Sequence, residues 1–249
     1  MTSKNQLLAH LFWIPLILLA ATGCGTGSGS YLTNQSFAPP SGGSKGTWTV
    51  SGGVGTSTAF EDSLSPSVER VNAINIETGY YLESYFLTTL SFNHDMGLSE
   101  FSRSNLNFGF WGDIHKLFNH DMSHFESEWT HWAGLELGLN WFNRFEDLEN
   151  EANSGSAFST RLKYAIEYSK YASRWKYFTG ADYGITDYSS GVSYQTTHDY
   201  FSGFGIHGGS TFRLNPNLSI TGQVKFNMGF LSGPQGAFPG YELRMSYRF

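Results

Sequence analysis

Charge is scarce in this chain. Asp, Glu, Lys and Arg make up 14% of its 249 residues, where globular domains carry roughly 25%. The 15 basic residues are outnumbered by 21 acidic ones, the net charge is −6 and no basic run occurs, which argues against a nucleic-acid partner. Cysteine occurs once, so neither a disulfide framework nor a multi-cysteine metal site can be built. Apolar runs are missing after residue 21, and mean hydropathy is −0.28. A polytopic helical membrane protein needs repeated apolar runs of about 20 residues. What the chain has in quantity is aromatic residues and glycine: 21 Phe, 14 Tyr, 7 Trp and 29 Gly. That is too aromatic for disorder and too glycine-punctuated for a helical bundle. An all-β chain is expected.

The first residues read as a secretory leader. Lys4 gives the positive start, and Leu7 to Ala21 is an apolar stretch broken only by His10 and Pro15. It is too short to span a bilayer comfortably. It ends in Ala21-Thr22-Gly23-Cys24, which holds the single cysteine. The segment resembles a bacterial lipoprotein signal, and the resemblance implies cleavage after residue 23 and lipidation of Cys24. An ordinary leader cut near Gly23, leaving a free thiol, is the other reading. Residues 24–45 are rich in Gly, Ser and Pro and are expected to form a flexible tether. The remainder, 46–249, is expected to be one domain.

From Gly46 onward the apolar period is two. Phe158, Thr160, Leu162, Tyr164, Ile166 and Tyr168 share one face, and Ser159, Arg161, Lys163, Ala165 and Glu167 the other. Leu218 to Phe230 and Tyr241 to Phe249 repeat the pattern, as do Trp129 to Trp141 around Glu136 and Asn140. Strict alternation marks strands with one face away from water. These strands run about 10 to 14 residues, against a globular mode near 5 or 6, and a tilted strand needs roughly 9 to 11 to cross a bilayer. Aromatic residues end the apolar faces: Trp129 and Trp141, Phe158 and Tyr168, Trp175 and Tyr183, Tyr241 and Phe249. Such girdles mark a membrane barrel.

The expected fold is a closed, antiparallel, up-and-down transmembrane β-barrel. Ten strands are expected, near 46–55, 69–80, 84–94, 104–112, 128–142, 157–170, 174–187, 199–213, 217–231 and 240–249; eight strands is the alternative. Tight turns are expected at 81–83, 171–173 and 214–216, and long loops at 56–68, 143–156, 188–198 and 232–239. Segment 113–127 falls where a turn should be short, so either the count changes there or that turn carries an insert.

The alternating end, Tyr241, Leu243, Met245, Tyr247 and Phe249, and the hairpin Phe212 to Ile220 around Asn215-Pro216 resemble the small bacterial outer-membrane β-barrels, the OmpA-, OmpX- and OmpW-like group of porin-type domains. The resemblance implies an outer-membrane location, contact with membrane lipid and assembly by the barrel-insertion machinery acting on the last strand. It fixes no activity, because fold and function separate here.

Ten inward charges, Glu136, Arg161, Lys163, Glu167, Lys176, Asp182, Lys225, Glu242, Arg244 and Arg248, carry both signs. In a narrow lumen they are expected to pair, since an isolated buried charge is costly. Phe-Asn-His-Asp-Met occurs at 92–96 and again at 118–122, and His94, Asp95, His115, His120, Asp121, His124 and His131 crowd that third of the chain. Imidazole and carboxylate form a workable metal or acid–base set, but adjacent strand residues face opposite ways. Ser123-His124 and Thr197-His198-Asp199 are fragments of hydrolase patterns without the surroundings of one. The expectation is therefore a non-enzymatic barrel with a filled lumen, no catalytic or metal site and no cofactor, contacting partners through its outer loops. A narrow pore for small solutes and an outer-membrane hydrolase acting on lipid or peptide are the alternatives.

Overall fold

The computed structural model describes residues 37–40, 42–61, 67–96, 101–118, 128–144, 154–170, 172–192, 195–230 and 234–249. Among these, ten strands pair antiparallel with their sequence neighbours: β1 (Trp48–Glu61), β2 (Ser67–Glu83), β3 (Phe86–Met96), β4 (Phe101–Asp113), β5 (Trp129–Arg144), β6 (Ser154–Tyr168), β7 (Trp175–Val192), β8 (Gln195–Arg213), β9 (Leu218–Phe230) and β10 (Pro234–Arg248). β10 also pairs with β1, from Thr49 opposite Arg248 to Ser57 opposite Gly240. The sheet is therefore a closed barrel. Closure leaves no row of unpaired backbone donors and acceptors, which hydrocarbon would not tolerate.

The pleat sorts side chains as the alternation requires. On β6, Phe158 and Leu162 are 48% and 57% exposed on the outside, while Lys163 and Glu167 are buried within. Val54, Ile76, Leu90, Leu106, Leu139, Ile185, Val224 and Leu243 are likewise exposed outside. At the end bearing the short turns, aromatic rings pair across neighbouring strands, Trp48 with Tyr80 and Trp129 with Tyr168 at 4.8 Å, Trp175 with Phe212 at 4.7 Å and Phe86 with Phe110 at 6.1 Å, and Tyr247 meets Phe249 at 4.8 Å along the end of β10. Higher up, Phe92, Trp141, Phe158, Phe226 and Tyr241 are again exposed outside. From Phe158 to Tyr168 is about 33 Å of strand at ~3.3 Å per residue. Tilted by about 40°, that is roughly 25 Å of height, the thickness of an outer-membrane apolar band.

The strands outrun the expected lengths, and they do so at one end. β7 ends at Val192 and β8 begins at Gln195, so most of the long loop expected at 188–198 is strand. The loops expected at 56–68, 143–156 and 232–239 are shortened in the same way by β1, β2, β5, β6 and β10. The polar, glycine-rich composition that suggested loops is compatible with a ladder extended beyond the apolar band. At the other end the exception at 113–127 is an insert. A single turn of helix, α1 (Ile114–Phe118), follows β4. The Asp113 carboxylate accepts from the backbone N–H groups of His115 at 3.0 Å and Lys116 at 3.4 Å, an N-cap. The strand count stays at ten.

The tether differs from expectation over its described part. Phe37 is 1% exposed and Pro40 is buried. The chain enters the barrel here instead of hanging from it. Two glycines with positive φ, Gly42 (77°) and Gly46 (82°), make the reversal, a backbone state that side chains disfavour. The Gly46 N–H donates to the Tyr81 carbonyl at 2.9 Å, and the Tyr81 N–H to the Thr47 carbonyl at 3.0 Å. A Cβ on Gly43 would stand 2.5 Å from the Tyr81 ring. Residues before 37, Cys24 among them, lie outside the described residues.

Candidate functional site

The lumen has an apolar waist and a charged wall. Phe37 forms the waist with Tyr81, Leu87, Trp111, Trp132, Ala165 and Phe178. These inward apolar residues of the strands sit on faces that are otherwise polar and need an apolar partner; Tyr81 is among them because β2 runs to Glu83, past the turn expected at 81–83. Phe37 supplies it, edge-on to Trp111 at 6.0 Å and stacked on His207 at 4.0 Å with 5° between planes. Gly180 makes room, since a Cβ there would lie 2.5 Å from the Phe37 ring.

Around this waist the inward charges meet in pairs, across neighbouring strands or, for Arg244 on β10 and Glu77 on β2, across the intervening β1. Lys163 on β6 bonds Glu136 on β5 diagonally, since Glu136 stands opposite Arg161 and Lys163 opposite Gly134. Arg161 holds Asp182 at 2.9 Å, and the other Asp182 oxygen meets His207 Nε2 at 2.5 Å. Lys176 holds Glu167 at 2.5 Å. Lys225 lies 3.1 Å from Glu242, which also accepts from Gln223. Arg244 bonds both Glu77 and the Ser51 hydroxyl. Arg248 points inward at the short-turn mouth and is half-buried. The inward faces thus hold all ten charges singled out in the sequence, along with three partners that sequence reasoning missed: Glu77, Gln223 and His207. Alternation along β8 and β9 places the last two inside, and mixed faces on β2 hid the first.

Toward the other end the wall changes to carboxamides. Asn75, Asn93, Asn105 and Asn140 stand directly opposite one another across β2, β3, β4 and β5, all buried. Asn140 donates to the Ala157 carbonyl at 3.3 Å and to the Ser159 hydroxyl at 3.1 Å. This row depends on register, which no single strand reveals.

The repeated pentapeptide does not assemble one site among the described residues. In its first copy His94 points outward and bonds the Ser104 hydroxyl at 3.0 Å, while Asp95 is buried on the inner face. Of the second copy only Phe118, exposed at the end of α1, is described. His120, Asp121, Ser123 and His124 lie outside the described residues, as do the side chains of Thr197, His198 and Asp199. His115 and His131 are edge to face at 4.8 Å, and His131 Nδ1 meets the Tyr164 hydroxyl at 2.7 Å. Among the described residues no group of three His, Cys, Asp or Glu is placed to hold a metal. Tyr241, Leu243, Met245, Tyr247 and Phe249 all face outward, and the Phe249 N–H donates to the Trp48 carbonyl at 3.0 Å across the closing seam. Outside the wall Lys45 donates to Glu83 at 2.6 Å. The carboxylate raises the lysine pKa above its ordinary value and latches the entering segment to β2.

No family model matches the chain, and no curated protein matches it. Solved structures do. The translocator domain of the autotransporter NalP from Neisseria meningitidis shares 9% identity, with 98% of each chain covered and a TM-score of 0.44. Neisserial surface protein A shares 11%, covering 83% of this chain and 97% of its own, at 0.37. The outer-membrane protease OmpT from Escherichia coli shares 8%, covering 86% and 100%, at 0.37. At such identities the chemistry has to be read from this chain's own residues.

Proposed function

We propose that the chain is an integral β-barrel of the bacterial outer membrane with a closed lumen and a non-enzymatic, structural or surface-contact role. One observation carries the reading: the outside is an apolar band bounded by aromatic rings, while the inside holds the paired charges. A water-soluble barrel would show the reverse. The short-turn end faces the periplasm, as in other barrels of this architecture, and the extended β7–β8 end faces outward and offers the contact surface. The leader over 1–23 exports the chain, lipid on Cys24 adds a second membrane anchor, and the last strand is the segment that the insertion machinery takes up. Ten strands enclose an interior that side chains nearly fill, and Phe37 with the ion pairs occupies it, so the pore alternative gains no support from the wall.

The test is migration on gels with and without boiling, combined with membrane fractionation and planar-bilayer recording. A heat-shifted band in the outer-membrane fraction and a silent bilayer are expected. An unshifted band in the soluble fraction refutes the barrel reading, and steady conductance by the intact protein refutes the closed lumen. Palmitate incorporation that disappears in Cys24→Ala is expected for the anchor.

A further inference from the structure

At the short-turn mouth the charge pattern departs from the paired wall above it. Here a vestibule of about 760 Å³ opens between the turn that follows β6, the turn that follows β8, and the end of β10. Lys170, Arg174, Arg213 and Arg248 converge on it from these three elements. Lys176 lines it too, already neutralised by Glu167. Arg213 and Arg248, at the ends of β8 and β10, both line it. Among the described residues neither Lys170, Arg174 nor Arg213 has a carboxylate within ion-pair distance, and the one acidic residue in the lining, Glu128, takes the Tyr168 hydroxyl.

The turns are built to hold this arrangement. Ala172 sits at φ 59° between Lys170 and Arg174, a state that only glycine and a few polar residues adopt freely. In the other turn the Asn215 carboxamide accepts from the N–H groups of Asn217 and Leu218, both at 2.8 Å, and the Arg213 N–H donates to the Arg174 carbonyl at 2.8 Å. The Arg248 N–H donates to the Asn217 carbonyl at 2.8 Å. The three arms are thus tied by backbone bonds, which fix where the cationic side chains are rooted. Lys170, Arg174 and Arg213 against the single carboxylate of Glu128 leave the vestibule net positive, which draws an anion to it in a protein of net charge −6. Two or more guanidinium forks favour an oxyanion that accepts bidentate bonds, phosphate above all.

We propose that this vestibule binds a phosphate group. Its depth supplies one source. Trp175, Phe212, Tyr247 and Phe249 form the aromatic ring beside it, and such rings lie at headgroup level, so the phosphate of an anionic phospholipid in the adjoining leaflet can reach it. A soluble phosphate ester from the aqueous side is the other source. The headgroup arm rests on the membrane reading above; phosphate binding itself does not.

The experiment uses the full folded chain in a maltoside detergent. Native mass spectrometry compares retention of phosphatidylglycerol with phosphatidylcholine. In parallel, inorganic pyrophosphate is titrated while the arginine Nε–Hε resonances are followed, with Arg174→Gln, Arg213→Gln and Arg213→Lys as variants. Saturable pyrophosphate binding is expected, about fivefold weaker for each charge removed, with Arg213→Lys between the parent and Arg213→Gln because it keeps the charge and loses the fork. Preferential phosphatidylglycerol adducts displaced by pyrophosphate assign the lipid source. Pyrophosphate binding without those adducts assigns the soluble one. No binding beyond that of the Gln variants overturns the proposal. Heat-shifted migration is scored on the same samples, so an unfolded or unshifted protein is told apart from a folded barrel lacking the site.

Discussion

The Phe37 ring lies flat on the His207 imidazole, 4.0 Å between centres and 5° from parallel. Through His207 it rests on Asp182 and Arg161, so a residue ahead of the first strand is tied to the wall made by β6, β7 and β8. Replacing Phe37 by Ala should leave a void among Trp111, Trp132, Phe178 and His207. Loss of a buried Phe costs about 3–5 kcal/mol, read as a lower urea midpoint for the refolded barrel. Planar-bilayer recording should also show openings absent from the parent. Equal, silent traces would mean that the ion pairs alone close the lumen.

The Lys163–Glu136 pair gives a second expectation. Glu136→Gln takes the bonded carboxylate from a buried ammonium that also lies 5.7 Å from the Trp111 ring. Breaking such a pair costs about 3–5 kcal/mol, whereas replacing both partners by apolar residues is often neutral. The double variant Glu136→Leu with Lys163→Met should therefore recover most of the loss in a denaturant titration. A double variant as weak as the single one would show that the charges do more than balance each other.

Leu162 and Ser159 test which side meets hydrocarbon. Leu162→Arg puts a cation on the outside near mid-band and should cost about 2–4 kcal/mol of stability in vesicles. Ser159→Ala, on the inner face, takes one of two acceptors from the buried Asn140 carboxamide and should cost about 1 kcal/mol, less than the outward cation. Were the outer face wet, Leu162→Arg would leave the urea midpoint unchanged.

The end of β10 separates assembly from stability. Phe249→Ser should sharply lower the amount of folded barrel recovered from cells while leaving refolding from urea into detergent nearly intact. That contrast, followed by heat-shifted band intensity, is what a recognition signal predicts. Equal losses in both assays would make Phe249 a packing residue only.

The barrel itself was legible because its signal is local. Side-chain direction alternates within each strand, and Phe158, Leu162, Lys163 and Glu167 could be sorted without knowing any neighbour. The ten inward charges followed from the same parity. What escaped depends on two segments at once. Glu77 belongs to a strand whose faces read as mixed, and its role appears only when Arg244 is placed beside it by the β1–β10 seam. The asparagine row exists only in register. The long loops were misjudged because Gly, Ser and Asp report polarity, and a ladder rising clear of the apolar band is polar too. Phe37 was lost in a stretch whose Gly, Ser and Pro content spoke for a tether. One aromatic ring outweighed that composition because unfilled space, among Trp111, Trp132 and Phe178, was waiting for it.

The Arg244 guanidinium bonds the Ser51 hydroxyl across 193 positions of sequence. Until the final strand is present that bond, and the seam it belongs to, has nothing to form from. Every shorter piece of the chain is a ribbon with two bare margins, one of them β1, and neither can rest in hydrocarbon. Partial products therefore have no native-like resting place in the bilayer, and the chain must be kept from premature pairing until its last residues arrive.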